Sequence, residues 1–521
     1  MPDPSSSRLS GRHAGALVPL FSIPSRRSWG IGEIPDLVVL GRWLDRAGMR
    51  FVQLLPVNEM QEGQSSPYSA LSAMALDPIF IAIDDLPEAA GAAIPRDEQA
   101  DIDRARSAHS VLYPAVRAAK RSALERAFAV FEQVELSAGG PRSRAFRDFC
   151  EREAWWLDDY VLFRALHEHH HGRHWQEWDQ SLRSRQLAAM ADARTRFARP
   201  ILYYSWLQWV ADDQWQRVRT QSPVAILGDF PFMVSGHSAD VWARQEEFAI
   251  DVSVGVPPDA FSETGQDWGL PLYRWDVIAR GGDEWLRMRA RRCAELYDGF
   301  RIDHLVGFYR TFYRTADGGQ YFDPADEPAQ QAQGERLMRI FAEPGVQLIA
   351  EDLGQVPDFV RASIAALGVP GLKVCRWERE WDAEGKPFRD PARYPPVSVA
   401  ITGTHDTESL AEWWDNADAA ERRAVLALPL LREAAPDADA PYSAALRDAL
   451  LRAVYGAASN LVIMPLQDVF GWRDRINTPA LVSDDNWSWR LPWPVEDLLT
   501  EPPAVERAEF LNRLSQETGR T

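Results

Sequence analysis

Four acids, Asp229, Asp303, Glu351 and Asp406, each sit at or just beyond the end of a short apolar run. The run ending at Asp303 reads GFRID, so Phe300 and Ile302 alternate with Arg301 and Asp303, the period of a strand. His304 follows at once. One such acid alone reads as a helix cap or a surface charge. Four in phase predict a shared face. Two chemistries use that arrangement. In the first, one carboxylate attacks an anomeric carbon while a second acid protonates the leaving oxygen and later deprotonates an acceptor. In the second, strand-end acids hold a divalent cation. Arg301 favours the first. On the same strand face as Asp303, it is expected to keep that carboxylate ionised, as a nucleophile requires, and a guanidinium is out of place amid cation ligands. His304 and His405 each adjoin an acid and can donate to sugar hydroxyls.

These acids need a frame that turns all strand ends the same way. Eight apolar runs read as strands: Ala16–Pro19, Phe51–Val57, Val224–Asp229, 300–304, Val346–Asp352, Gly371–Val374, Val397–Asp406 and Leu461–Asp468. Helical spacing separates most of them, as at Leu37, Leu40, Trp43 and Leu44, and over Glu284–Leu296, Pro357–Leu367 and Ala420–Leu428. Eight strands with helical crossovers predict a (β/α)8 TIM barrel, whose C-terminal strand ends carry the active site. The 521 residues then form one catalytic barrel domain. Residues 58–220 are too long for a strand–helix connection and predict an inserted, mainly helical subdomain, most periodic over Leu112–Ala129 and Phe146–His167. Residues 230–297 read as an inserted loop-rich segment bordering the site. Too few residues follow the eighth strand for a C-terminal β-sandwich of about 100 residues.

Composition narrows the partners. Lys and Arg number 57 against 76 Asp and Glu, a net charge of −19, which argues against nucleic acid and anionic membranes. A neutral substrate fits, and 21 Trp suit the flat faces of pyranoses. Cys150, Cys293 and Cys375 lack CxxC spacing and read as packing residues of a reducing compartment. With no apolar signal segment and no run of about 18 apolar residues, a cytoplasmic protein is expected. His167, His169, His170, His171 and His174 read as an exposed helical face rather than a metal site, and Arg287–Arg292 as a solvated helix face. Gly385-Lys386 lacks the preceding glycine of a phosphate loop.

Longer motifs carry a resemblance. SWGIGEIPDL near the start, SPYSALSAMALDP at 66–78, GDFPFMVSGHSADVW at 228–242 and GVPPDAFSETGQDWGLPLYRW at 255–275 come first. GFRIDH, IAEDLGQV, GTHDTESLAEWW, PLQDVFG and NTPALVSDDNWSWRL follow in that order. Together they resemble the 4-α-glucanotransferases of glycoside hydrolase family 77 nearly end to end. The resemblance implies a barrel with inserted subdomains and no C-terminal sandwich. It implies Asp303 as nucleophile, Glu351 as general acid/base and Asp406 as the acid that steadies an oxocarbenium-like transition state. It places Arg301, His304 and His405 along the cleavage subsite and Tyr68 as the ring stacked on the sugar. Trp268 resembles the tip of a loop over the acceptor side, and Asp259 and Asn477 resemble sugar contacts. Asp229 matches a motif position. Leu270 stands where Asn is frequent in the family, and the residues after Asp406 depart from the commoner forms. The expected activity moves α-1,4-linked segments among maltooligosaccharides, larger α-1,4-glucans and glucose, with no metal or organic cofactor. A retaining α-glucan hydrolase is the alternative.

Overall fold

The computed structural model describes residues 8–91, 93–258, 264–434, 437–479 and 481–521. In chain order its strands are β1 (His13–Leu17), β2 (Phe51–Gln53), β3 (Ala225–Phe230), β4 (Phe248–Val256), β5 (Gln266–Tyr273), β6 (Gly299–Ile302), β7 (Thr311–Thr315), β8 (Gln320–Asp323), β9 (Gln347–Ala350), β10 (Gly371–Val374), β11 (Ser398–Ile401) and β12 (Leu461–Pro465). Eight of them close a barrel in the order β1-β2-β3-β6-β9-β10-β11-β12, every neighbouring pair parallel. The barrel strands β3, β6, β11 and β12 are buried at every position. Side chains fill one face and helices cover the other, so such strands read as continuous apolar runs. All eight expected strands are present. Most of the expected runs overshoot, the longest at β11, β2 and β12: β11 ends at Ile401 before the turn carrying Asp406, β2 ends at Gln53, and β12 gives way to a short helix, Leu466–Phe470, that contains Asp468.

The remaining strands form a separate antiparallel sheet, β5-β4-β7-β8. Residues 230–297 are therefore not merely loop-rich. They supply β4 and β5, the helix Glu284–Leu296 and shorter helical turns. β4 alternates Ile250, Val252, Val254 and Val256 with Asp251, Ser253 and Gly255, and β5 alternates Trp268, Leu270 and Leu272 with Asp267, Gly269 and Pro271, a strand period that the loop-rich reading passes over. Between β2 and β3 the chain forms the helices Arg96–Ser107, Tyr113–Val130, Pro141–His169 and Ala198–Gln221, among shorter ones. Phe131, Phe146, Trp206 and Trp209 meet where three of these converge, with ring centroids 5.4–6.1 Å apart. Among the described residues no helix is long and apolar enough to cross a membrane.

Two expected surfaces are corrected. Arg289 and Arg292 are buried, not solvated. Three residues apart, they share the inward face of their helix. Arg289 donates to the Pro231 and Phe232 carbonyls at 2.5 and 3.3 Å and to the Tyr273 hydroxyl at 2.9 Å. It thereby pins the segment after β3. Arg287 and Arg291 face outward and pair with Glu343 and Glu295. His167 is likewise buried. Its Nδ1 accepts from Arg164 at 3.0 Å, and its Nε2 lies 2.9 Å from Nε2 of His237.

Burial pushes His167 down to about 3 and His237 down to about 4. Between these values and the unfolded value near 6.5, the unfolded chain binds protons that the fold refuses. These residues therefore contribute stability above about pH 6.5 that is lost as pH falls towards 4 and below. Held that far down, His167 alone accounts for a contribution on the order of a few kcal/mol. The urea midpoint is expected to drop more between pH 7 and pH 4.5 in the parent than in His167→Gln. Equal drops would contradict this source.

Candidate active site

The β3–β6 register places Asp229 directly opposite Arg301. Both side chains are buried, and Arg301 becomes the hub of the rim. Its Nε and Nη2 donate to the two Asp229 oxygens at 3.2 and 2.7 Å. Nη2 also reaches Asp303 Oδ1 at 2.9 Å and the Tyr68 hydroxyl at 2.9 Å, and Nη1 lies 3.0 Å from Glu351 Oε2. One planar fork thus spans three carboxyls, a geometry that only Arg supplies.

The acids are placed by backbone that continues the ladder past the strands. Asp303 donates its N–H to the Phe230 carbonyl at 3.0 Å, and Glu351 donates to Ile302 at 3.1 Å. His304 follows in the left-handed region, φ +43°, and its N–H reaches Glu351 Oε2 at 2.8 Å. Asp303 and Glu351 side chains remain 25 % and 20 % exposed, open to the barrel mouth. Both carboxyls bear on the same guanidinium, Asp303 on Nη2 and Glu351 on Nη1.

The expectation that Arg301 keeps Asp303 ionised is corrected. Burial pushes the Asp303 carboxyl well up, Arg301 only partly offsets this, and Glu351 and Asp229 add to the rise. Glu351 is held low: burial raises it, but Arg301, the His304 N–H and Asp303 outweigh that. One guanidinium is divided among three acids here. Asp303 is thus shifted up and Glu351 down.

Asp406 projects from the turn after β11. Thr407 Oγ1 accepts the Thr404 N–H at 3.0 Å, and Thr404 Oγ1 accepts that of Asp406 at 3.2 Å. Gly403 is required here, since a Cβ would come within 2.4 Å of Thr407 Oγ1. Asp406 Oδ1 accepts from Asn477 Nδ2 at 2.6 Å, and Oδ2 lies 3.2 Å from His405 Nε2. Burial raises this carboxyl, yet His405, Asn477 and Arg301 together hold it down to about 2. Asp406 and Glu351 are thus both held below the ordinary carboxyl range, and Asp303 alone of the three is raised.

Aromatic rings wall the mouth. Tyr68 stacks on His405, centroids 5.5 Å apart at 26°, and its hydroxyl donates to Asp229 at 2.8 Å. Burial and Asp229 push that hydroxyl well up, so it stays protonated. Trp268, in β5, meets His304 edge-on at 4.9 Å. Burial pushes His304 down to about 4, leaving a neutral ring at neutral pH.

The structure therefore gathers Tyr68, Asp229, Trp268, Arg301, Asp303, His304, Glu351, His405, Asp406 and Asn477 at one rim. Asp259 lies outside the described residues. Sequence reasoning misses Trp487, which touches Tyr68 and His405, and Arg475, which donates to the Asp406 carbonyl at 3.2 Å. Both lie in or beside the NTPALVSDDNWSWRL stretch, and their proximity to Asp406 is set by a loop with no periodicity to read.

Two carboxyls held on one guanidinium fork, with a third carboxyl held low beside them, can deliver a nucleophile, a proton and a fixed negative charge to one carbon. The 4-alpha-glucanotransferase family model, glycoside hydrolase family 77, matches residues 18–496. The chain is 35 % identical over 509 residues to the 4-alpha-glucanotransferase of Thermus thermophilus, covering 92 % of this chain and 95 % of that one. It is 31 % identical over 499 residues to that of Chlamydia pneumoniae, covering 93 % and 92 %. The amylomaltase of Streptococcus agalactiae, solved in complex with acarbose, superposes with a TM-score of 0.81 at 26 % identity, covering 98 % of this chain and 99 % of that one. Barrel, rim and relatives agree, and the chain belongs to the 4-alpha-glucanotransferase family, glycoside hydrolase family 77.

Proposed function

We propose that this enzyme moves α-1,4-linked glucan segments from a donor to the 4-hydroxyl of an acceptor glucan or glucose by two successive displacements. Asp303 attacks the anomeric carbon, and Glu351 gives a proton to the departing 4-oxygen. This leaves a β-glycosyl ester on Asp303. Glu351, now a carboxylate, takes the proton from an acceptor 4-hydroxyl as that oxygen displaces Asp303, which restores the α-linkage. The observation that carries this reading is that Asp303 and Glu351 sit on the two amino groups of the one Arg301 guanidinium, at 2.9 and 3.0 Å, which keeps their carboxyls close together. Retaining enzymes keep the two groups about 5–5.5 Å apart, whereas inverting ones need about 6.5–9.5 Å to seat a water.

Attack needs the opposite order, an ionised Asp303 and a protonated Glu351. A glycosidic oxygen between the two acids gives a protonated Glu351 a partner. Asp303 is then left ionised against Arg301, as attack requires. Asp406 meets the positive charge that grows on the sugar ring. Tyr68 stacks on that sugar, while Asn477, His304 and His405 present donors around it. Asp229 locks Arg301 in place. Asp259 is assigned to sugar contact by motif. Trp268, against His304, covers the acceptor side and favours sugar over water as acceptor.

The test is the product pattern from maltotriose. Transfer yields glucose together with a ladder of longer oligomers. Maltose and glucose with nothing longer would make the enzyme a retaining hydrolase instead.

A further inference from the structure

Trp487 has no part in the reaction as described, yet its backbone is held in a conformation that bulky residues seldom adopt. Its φ is +62°, and among the described residues only six non-glycine positions have positive φ; His304 is another. Strain of this kind persists where the surroundings over-determine it, and it clusters at functional sites. The surroundings here do so. The Trp487 N–H donates to Ile476 at 2.7 Å, and its carbonyl accepts from the buried Tyr113 hydroxyl of the inserted helices at 2.8 Å. Asn486, just before it, is buried. It accepts from the Thr478 N–H at 3.0 Å and donates to Leu481 at 2.7 Å.

The ring this frame delivers lies 5.7 Å from Tyr68 and 5.7 Å from His405. His405 has need of it. Its Nε2 is the atom that faces both Asp406 and the Tyr68 hydroxyl, each at 3.2 Å. Its Nδ1 is buried, and none of the described residues gives it a hydrogen bond. Functional imidazoles are ordinarily oriented by a bond at the second nitrogen. Here the ring's rotation is left to packing between Tyr68 and Trp487.

We propose that Trp487 is a positioning residue for glucan transfer: it fixes the His405 ring so that Nε2 bears on Asp406. This rests on the transferase reading above, and the experiment separates the two. Trp487→Asn and Trp487→Gly remove the ring but suit a left-handed backbone, and Trp487→Phe keeps an aromatic wall. With maltotriose, both ring-removing variants are expected to lose about 10–100-fold in kcat, the scale of a small misplacement at a reacting centre. KM is expected to change less than about threefold and Tm to stay level or rise, because strain is relieved. Trp487→Phe is expected to recover most of the rate. Against a His405→Gln background, Trp487→Asn should cost nothing further.

Parental kcat in the folded Asn or Gly variant overturns the assignment, as does an undiminished loss in the His405→Gln background. A parent enzyme that makes no ladder overturns the transferase reading instead. A crystal structure of either variant judges the positioning role without turnover: His405 is expected to rotate off Asp406, and an unmoved ring contradicts it.

Discussion

Asp303→Asn is expected to lower glucan transfer by about 10⁴-fold or more, the scale on which loss of a covalent nucleophile is felt, while leaving maltotriose binding intact. Asn keeps the shape and can still accept from Arg301, whose fork retains Asp229 and Glu351. What it cannot do is form the ester. Stability is expected to be unchanged or slightly higher. Burial already pushes the Asp303 carboxyl well up, so the fold favours its neutral form. A group with a raised pKa opposes folding once it ionises, and its contribution improves as pH falls. Replacing it with a neutral amide removes that cost near neutral pH. Single-turnover kinetics, binding calorimetry and thermal melts check the three parts. A folded Asp303→Asn enzyme with more than a few per cent of parental turnover would remove Asp303 from the role.

Arg301→Lys is expected to be nearly as damaging for a different reason. Lys offers one compact charge where the fork serves Asp229, Asp303, Glu351 and the Tyr68 hydroxyl at once. Arg301→Met leaves those buried acids with no cation, a change that typically costs about 3–5 kcal/mol. The sign of the pH dependence follows from Glu351, which Arg301 helps hold below its ordinary value. A depressed carboxyl stabilises the fold above its unfolded value and loses that contribution as pH falls. Without the guanidinium this stabilisation at neutral pH vanishes. The variants are therefore expected to be weakest at pH 7–8 and to recover relative to the parent near pH 5, where the acids protonate. Urea midpoints across that range test it. A constant difference between parent and variant would place the Arg301 contribution in packing alone.

What can be read from the chain, and what cannot, has a physical pattern. The barrel is legible because strands buried on both faces leave unbroken apolar runs, and the acids at 229, 303, 351 and 406 stand where those runs stop. The antiparallel strands β4 and β5 alternate as half-buried strands do, but Gly255, Gly269 and Pro271 fall within them and read as turn residues. The pairing of Asp229 with Arg301 depends on the register of two strands more than 60 residues apart, which local sequence does not encode. The upward shift of the Asp303 carboxyl is missed from sequence for a related reason. An Arg two residues away looks like a dedicated partner until the fold divides it among three carboxyls. Burial of Arg289, Arg292 and His167 escapes notice because polar side chains read as surface until a buried partner is found for each.

The covalent bond to Asp303 can be observed directly. Glu351→Gln, given a glycosyl fluoride donor whose terminal 4-hydroxyl has been removed, receives a leaving group that needs no proton and offers no acceptor hydroxyl at that position. The first displacement is expected to run and the second to stall. Mass spectrometry of the digested protein is then expected to find one glycosyl group on the peptide containing Asp303. Fluoride release with Asp303 unmodified, or the sugar carried on any other residue, would contradict the account.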